Sequence, residues 1–279
     1  MLPKEQWATQ PVVKVPGRHG GSWSDVADAA GPGHKRTPSG GFAETSGGGG
    51  WRVTWRLRMK PLSSEEKNSG CLLYYQLGQL DPTGSERATL LMMLRLLQQP
   101  IFAELRTKQQ LGYVVSSGLY GSGSGDDEVS GCYIIVLSKT YAPPHVQRSI
   151  DEYMKGFSDV VAAFTPDEFS TSRTALVTRY REPDRTLAEA CDRRWRPIVH
   201  EHYDWSRRFK LADAIEQVKQ SDVGQLAKRL LGFPRIAVHC FGSAHMEKFG
   251  EDDGSRSTEI ESWEAWRAAQ ATWPSGVVH

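Results

Sequence analysis

The residues whose types and spacing best suit chemistry are an arginine and a tyrosine seven positions apart, Arg106 and Tyr113. They lie in the run LRTKQQLGY (105–113), between an apolar helical pattern and a β-rich stretch. A guanidinium presents a planar fork of donors, and a phenol presents one donor on a stiff arm. Both groups therefore suit hydrogen bonding to acceptor oxygens of a bound ligand.

These residues alone also allow purely structural roles. Arg106 can instead pair with Glu104 or with the carbonyl end of its own helix. Tyr113 can be an ordinary aromatic of a strand. The two residue types therefore leave a binding role and a packing role open.

Metal ligation is the second chemistry that the sequence can be searched for. In an H-x-x-E-H helix, two histidines four apart share one face and the glutamate next to the second activates a metal-bound water. No such run occurs in the 279 residues. The run HEHYD (200–204) comes nearest and also reads H-E-x-x-D, but His200 and His202 would point roughly 200° apart on a regular helix. The sequence predicts an exposed histidine pair at a helix end, and no metal site in this chain.

Cysteine and phosphate chemistry receive little support. The four cysteines, Cys71, Cys132, Cys191 and Cys240, form no C-x-x-C pair, and three of them lie in apolar β-like runs. We predict buried free thiols in a reducing compartment. The glycine-rich stretch 121–125 lacks a Gly-Lys-Ser ending, so it does not predict a phosphate-binding loop.

The composition excludes several other classes of protein. Lysine and arginine number 34 against 33 acidic residues. The net charge is therefore too small to attract nucleic acid or an acidic membrane surface electrostatically. No run approaches the ~18 to 20 apolar residues of a membrane span. The N-terminal residues lack the apolar core of a secretory signal, so the sequence predicts a cytoplasmic protein.

The chain divides into three segments by composition. Residues 17–50 are dominated by glycine, serine and alanine and cannot bury enough apolar surface to offset their ordering entropy, so we predict a disordered linker. Residues 1–16 form a short connector before it. The remaining residues, 51–279, are expected to form one large domain, because 39% of the chain is hydrophobic.

Hydrophobic periodicity within that domain alternates between strands and helices. Strands are predicted at 51–59, 71–77, 112–118, 131–138 and 235–241. Helices are predicted at 85–99, 146–163, 166–181, 186–203 with a kink at Pro197, 221–231 with Ser221 as its cap, and 259–269. This order predicts an α+β fold, an antiparallel-rich mixed sheet covered on one side by helices.

The run from Arg106 to Tyr113 resembles a segment of the insulin-degrading enzyme, nardilysin and pitrilysin family of zinc metallopeptidases. The order of other features agrees: NSGCLLYYQ (68–76) resembles the family's strand ending in Tyr-Tyr-Gln, followed by a helix (88–99) and PIF (100–102), and PPH (143–145) resembles a helix start. The similarity continues through Trp195, Tyr203 and the strand near Val238, and covers about residues 51–279. At Gln109 the close animal enzymes carry an acid, so the local charge differs.

The resemblance implies a fold, and it implies different roles for this chain and for a zinc-carrying half. The fold would be that of a metallopeptidase half-domain, the last of four related domains. Arg106 and Tyr113 would contact peptide substrate bound on a zinc-carrying half, which would supply H-x-x-E-H and a distant glutamate, while this chain would bind no cofactor. The leading interpretation is the C-terminal, metal-free part of such an endopeptidase, with the zinc-carrying half in the same longer chain or a separate subunit. The alternative is a stand-alone, non-catalytic peptide-binding or assembly subunit.

Overall fold

A computed structural model of the chain describes residues 54–81, 83–123, 128–251 and 257–269. The predicted connector (1–16) and linker (17–50) lie outside these residues. Within them, a mixed sheet of six strands is covered on one face by helices. The strands are β1 (Thr54–Met59), β2 (Ser69–Gln79), β3 (Val114–Ser122), β4 (Val129–Ser138), β5 (Arg235–Cys240) and β6 (Ser257–Glu259).

The helices follow mostly in one block between β4 and β5. They are α1 (Ser85–Phe102), α2 (Pro143–Ala163), α3 (Pro166–Arg181), α4 (Leu187–Val199), α5 (Arg207–Glu216), α6 (Gln220–Leu230) and α7 (Trp263–Ala269). A π-helical turn, Ala103–Lys108, continues α1, and a short 3-10 helix spans Ser243–Lys248.

The strand order across the sheet is β3-β4-β2-β5-β1-β6. The β2–β4, β2–β5 and β3–β4 pairs are antiparallel, whereas β1 runs parallel to both β5 and β6. The predicted α+β fold with an antiparallel-rich mixed sheet is therefore confirmed.

Alternation along β2 shows which face carries the core. Cys71, Leu73 and Tyr75 have no exposed surface, because the helices pack on their side of the sheet. Leu72 and Tyr74 point to the opposite face and are only half-buried. Helix α1 lies within the core against β3 and against α5 and α6, which explains its nearly all-round apolar surface.

Capping chemistry fixes two helix starts. Helix α3 begins as predicted, because the Thr165 side chain accepts from the Glu168 backbone and the Glu168 carboxylate accepts from the Thr165 backbone N–H. Helix α2 begins at Pro143, three residues before the predicted Val146, because proline needs no N–H partner in a first turn.

Several predicted boundaries are wrong. Helix α4 ends at Val199 and not at 203, since Glu201 and Tyr203 adopt left-handed backbone conformations with φ of 55° and 49°. Helix α6 begins at Gln220, so Ser221 lies inside its first turn and is not its cap. The last helix begins at Trp263, because residues 257–259 form β6 along the edge of β1.

The cysteines also differ in part from expectation. All four are free thiols, and Cys71 and Cys132 are buried as predicted. Cys240 is exposed, although it ends an apolar run, because it is the last residue of β5. Among the described residues, no helix is long and apolar enough to cross a membrane.

A buried ion pair joins the sheet to α2. Arg235 of β5, whose side chain is 3% exposed, donates to both carboxylate oxygens of Asp151 at 2.5 and 2.9 Å. It also donates to the hydroxyl of Thr54 at 2.6 Å and lies 3.5 Å from the Tyr75 hydroxyl. The contacts tie β1, β2, β5 and α2 together at one buried charge.

Candidate functional site

Arg106 lies in the π-helical turn that continues α1. The backbone N–H of Gln109 donates to the carbonyl of Glu104 at 2.9 Å, the wider spacing that defines such a turn. Leu105 in the same turn is fully buried, while Arg106 is exposed. The Arg106 guanidinium lies 4.9 Å from the centroid of the Phe102 ring, which holds the cation over an aromatic face.

The acid nearest to Arg106 in sequence has other partners. Glu104 accepts from Lys108 at 2.9 Å and from the side-chain amide of Gln109 at 3.1 Å. The hydrogen bond from Lys108, followed by that from Gln109, lowers the pKa of the Glu104 carboxyl. Arg106 thus does not pair with Glu104, and no ion pair of Arg106 occurs within the described part of the chain. Gln109, which stands where the animal enzymes of the resembled family carry an acid, donates a side-chain N–H to Glu104.

Tyr113 follows a tight connection between the π-helical turn and β3. The N–H of Leu111 donates to the carbonyl of Leu105 at 2.9 Å, and Gln110 between them has a left-handed φ of 51°. A Cβ on Gly112 would lie 2.0 Å from the Leu137 carbonyl oxygen, so only glycine allows this approach to β4. Tyr113 emerges just before β3 and is 52% exposed. Arg106 and Tyr113 therefore both present polar groups to solvent from the two ends of one closed connection.

A second polar cluster, which the sequence did not reveal, surrounds Glu128. Its carboxylate accepts from Arg87 at 2.6 Å, from His202 at 2.8 Å and from Arg207 at 3.0 Å. Arg87 also donates to the Ser130 hydroxyl at 2.9 Å. These residues come from α1, β4, α5 and the turn after α4, so no local motif could have grouped them.

Glu128, Arg87, His202 and Arg207 line a cavity of about 560 Å³ together with residues of α4. The cavity is also lined by Arg193, Arg196, Arg208 and His200. Arg193 pairs with Asp184 at 2.5 Å and Arg196 with Asp192 at 2.8 Å, so these cations already have local counter-ions. The predicted exposed histidine pair is therefore half correct, because His200 is exposed but His202 contacts Glu128.

Two pKa values in this cluster are displaced from their ordinary values. Burial raises the pKa of the Glu128 carboxyl, but the charges and hydrogen bonds of Arg87 and Arg207 outweigh it, so the pKa falls below 4.5. Burial, followed by the charge of Arg207, lowers the pKa of His202 below 6.5, although the Glu128 carboxylate acts in the opposite direction.

We predict from these directions that acid weakens the fold. A lowered carboxyl pKa contributes stability above its unfolded value near 4.5, and this stability is lost as the pH falls through the folded value. A lowered histidine pKa favours unfolding below its unfolded value near 6.5, where the unfolded chain binds the proton more readily. Urea midpoints should fall from pH 7 towards pH 4, and Glu128→Gln should reduce that slope. Glu152→Gln, on the exposed side of α2, is the control, and an equal slope in both variants would contradict the assignment.

Metal ligands do not converge in the described part of the molecule. No group of three or more histidine, cysteine, aspartate or glutamate side chains is arranged there to hold a metal ion. His200 and His202 have ring centroids 6.2 Å apart, and His202 is held by Glu128.

Comparison with known proteins shows which proteins this chain is similar to. The model of domain 4 of the C-terminal lobe of PqqF-like PQQ synthases matches residues 91–195. Nardilysin from Mus musculus is 30% identical over 211 residues, which cover 71% of this chain and 18% of nardilysin. Insulin-degrading enzyme from Homo sapiens is 26% identical over 178 residues, which cover 62% of this chain and 17% of that enzyme.

Solved structures agree at the level of the fold. The crystal structure of pitrilysin superposes with a TM-score of 0.63 at 16% identity, over 78% of this chain and 23% of pitrilysin. The periplasmic protease PqqL from Escherichia coli has a TM-score of 0.50 at 11% identity, over 80% of this chain and 25% of PqqL.

The chain therefore belongs to the insulinase-like family of peptidases, as the sequence resemblance predicted. It corresponds to the C-terminal part of the family's longer members, and it spans about one fifth of the length of the curated relatives it matches, between 17% and 21%.

Proposed function

We propose that this chain is the C-terminal, non-zinc-binding part of an insulysin-like zinc metalloendopeptidase, where it helps to enclose and position peptide substrates. The observation that carries the proposal is the exposure of Arg106 and Tyr113 on a connection that is otherwise anchored by buried leucines. Both side chains are therefore accessible to a bound peptide.

The two groups act as donors to the backbone of the substrate. The Arg106 guanidinium offers a fork of N–H groups to one or two peptide carbonyls, and the Tyr113 hydroxyl offers a further O–H. Holding the backbone at several points reduces the motion that must be lost before the bond is cut. Zinc on the other half would supply the activated water for hydrolysis. The residues of this chain bind and orient, and do not themselves transfer the proton.

The uncovered face of the sheet supports the enclosing role. Leu72, Tyr74, Ile135 and Val238 lie on the side away from the helices and are half-buried. Helix α7 reaches this face at the β1 end, where the ring centroids of Trp55 and Trp266 lie 5.6 Å apart. The strand side chains beyond it, on β2 and β4, are suited to form one wall of a chamber against a second half. The zinc-carrying half is the proposed partner, in the same longer chain or as a separate subunit.

A cytoplasmic location is part of the same proposal. The four free cysteines support it, since unpaired thiols are typical of reducing compartments. PqqL is a periplasmic protease, so fractionation of cells expressing the native gene is the appropriate measurement. Recovery in a periplasmic or secreted fraction would contradict the location and leave the peptidase role intact.

The purified chain should contain little zinc and should not cleave a quenched fluorescent peptide, because the described residues offer no metal-binding group. Metal content by mass spectrometry and a fluorescence assay test this expectation. Stoichiometric zinc, together with activity that is lost in His200→Ala, would contradict the proposal.

Sequencing the full transcript separates the proposal from its alternative. An H-x-x-E-H motif in the same reading frame, or in a protein that co-purifies with this chain, is the expected result. A short transcript without any such partner would favour the stand-alone peptide-binding or assembly subunit.

A further inference from the structure

A cavity of about 300 Å³ lies between the C-terminal end of α1 and strand β3. The side chains on the α1 side are Gln98, Gln99, Ile101 and Phe102, and those on the strand are Val115, Ser116 and Ser117. The cavity is therefore on the helix-covered side of the sheet, at the end of the strand order occupied by β3.

The hydroxyl group of Ser117, which lines this cavity, is buried and unsatisfied. The residue is 6% exposed, and its Oγ has no hydrogen-bond partner among the residues that the structure describes. A buried hydroxyl without a hydrogen-bond partner destabilises the fold, so such groups are uncommon unless another group satisfies them. Since Ser117 lines the cavity, a ligand there can complete its hydrogen bonding.

The backbone of β3 is also incompletely paired. β3 pairs with β4 on one side, and no described strand lies on its other side. In an antiparallel pair, every second residue directs its N–H and C=O away from the partner strand. Between Val114 and Ser122 these groups form a row of donors and acceptors that matches an extended peptide.

We propose that β3 binds an extended segment of a peptide as an added strand, with one peptide side chain inserted into the cavity beside Ser117. In an added strand, alternate side chains point towards the helix-covered face of the sheet, where the cavity lies. One residue of the peptide therefore enters beneath the end of α1, and its neighbours point to the uncovered face.

The cavity selects a neutral side chain. None of its seven lining residues carries a charge. A charged group that entered it would lose its hydration without gaining a counter-ion from the lining residues. The amides of Gln98 and Gln99 and the hydroxyl of Ser117 can instead bond to a hydroxyl or amide group, while Ile101 and Val115 contact its aliphatic part.

The added strand would be continuous with the Arg106 and Tyr113 site, so this inference rests on the proposed function and extends it. Phe102, which lines the cavity, carries the Arg106 guanidinium over its ring. Tyr113 immediately precedes Val114, the first residue of β3. A peptide held by the two donors can thus continue along the edge of β3.

Backbone methylation of a peptide tests strand addition without altering the protein. The probe is a fluorescein-labelled ten-residue peptide of alternating valine and threonine with two lysines at each end, titrated against the 279-residue chain by fluorescence anisotropy. A single N-methyl group at a residue whose N–H faces β3 should weaken binding about tenfold, because each lost hydrogen bond is worth about one decade in affinity. Methylation at the intervening positions should leave binding within about twofold.

A Ser117→Ala variant tests the side-chain cavity. It should weaken binding of the threonine-containing probe about fivefold and leave an all-valine version unchanged, since only threonine can bond to the hydroxyl. Ser122→Ala, on the same strand but away from the cavity, is the matched control and should bind both peptides normally. Aspartate in place of the inserted threonine should abolish binding.

Failure of this inference can be told apart from failure of the proposed function. Equal sensitivity to methylation at every position, or no binding of the unmethylated probe, would overturn strand addition on β3. Such results leave open whether Arg106 and Tyr113 affect cleavage, which is measured by kinetics in the zinc-containing enzyme. A period-two methylation pattern with no effect of Arg106→Ala on cleavage would retain the strand site and reject the donor role.

Discussion

Arg106→Ala and Tyr113→Phe, each introduced into a peptidase that contains the zinc-carrying half, should lower kcat/KM about tenfold to a thousandfold, because each removes a donor placed near the reacting peptide. Thermal unfolding should be nearly unchanged. Arg106 makes no ion pair among the residues described, and Tyr113 is half-exposed, so neither loss opens the core.

Matched variants isolate the role of the two donors. Arg95→Ala removes the same charge from an exposed position of α1, and Thr107→Ala changes the exposed neighbour of Arg106. Both should retain normal kinetics. If Arg106→Ala and Tyr113→Phe instead lower Tm, and the folded fraction cleaves at the normal rate, the two residues have a structural role and the positioning assignment is wrong.

Asp151→Ala should reduce the free energy of unfolding by about 3 to 5 kcal/mol, since it leaves the buried guanidinium of Arg235 without its carboxylate. Arg235 is 3% exposed and Asp151 is 16% exposed, so water cannot replace the lost partner fully. Urea unfolding at pH 7 measures the change. Asp159→Ala, an exposed substitution two turns further along α2, should cost little.

A double variant distinguishes the buried charge from general packing. Asp151→Leu combined with Arg235→Met removes both charges and should recover much of the stability lost in Asp151→Ala. A loss below about 1 kcal/mol in the single variant would mean that the pair behaves as a surface ion pair. That result would contradict its assignment as the tie between the sheet and α2.

The elements that the sequence predicted well are those with a strong local pattern. Strand β1 alternates between buried and half-buried residues, and α3 carries its own capping box. Helix α5 was missed, because its ten residues have only three buried members and begin in a run of arginines. The π-helical turn at 103–108 was also missed, since its sequence is compatible with an ordinary helix and its spacing is set by the bond from Leu111 to Leu105.

The candidate site, like the fold, could be predicted from the sequence only in part. Arg106 and Tyr113 were found through a resemblance, because their residue types alone also fit an ion pair and a packed aromatic. The Glu128 cluster was invisible in the sequence, since Arg87 is 41 residues and Arg207 is 79 residues from Glu128. Such a cluster forms only when α1, α5 and the end of α4 are brought together by packing on the sheet.

The position of β1 in the sheet has a consequence for how the chain acquires its fold. β1 pairs with β5 and β6, and the Thr54 and Arg235 that lie side by side are 181 residues apart in sequence. Contacts of such separation form slowly, because a long loop must close before they contribute. During synthesis, β2, β3 and β4 can associate as soon as Ser138 has left the ribosome, whereas β1 has no described strand partner until Arg235–Cys240 emerges. The first of the described strands to be synthesised is therefore among the last of them to be paired.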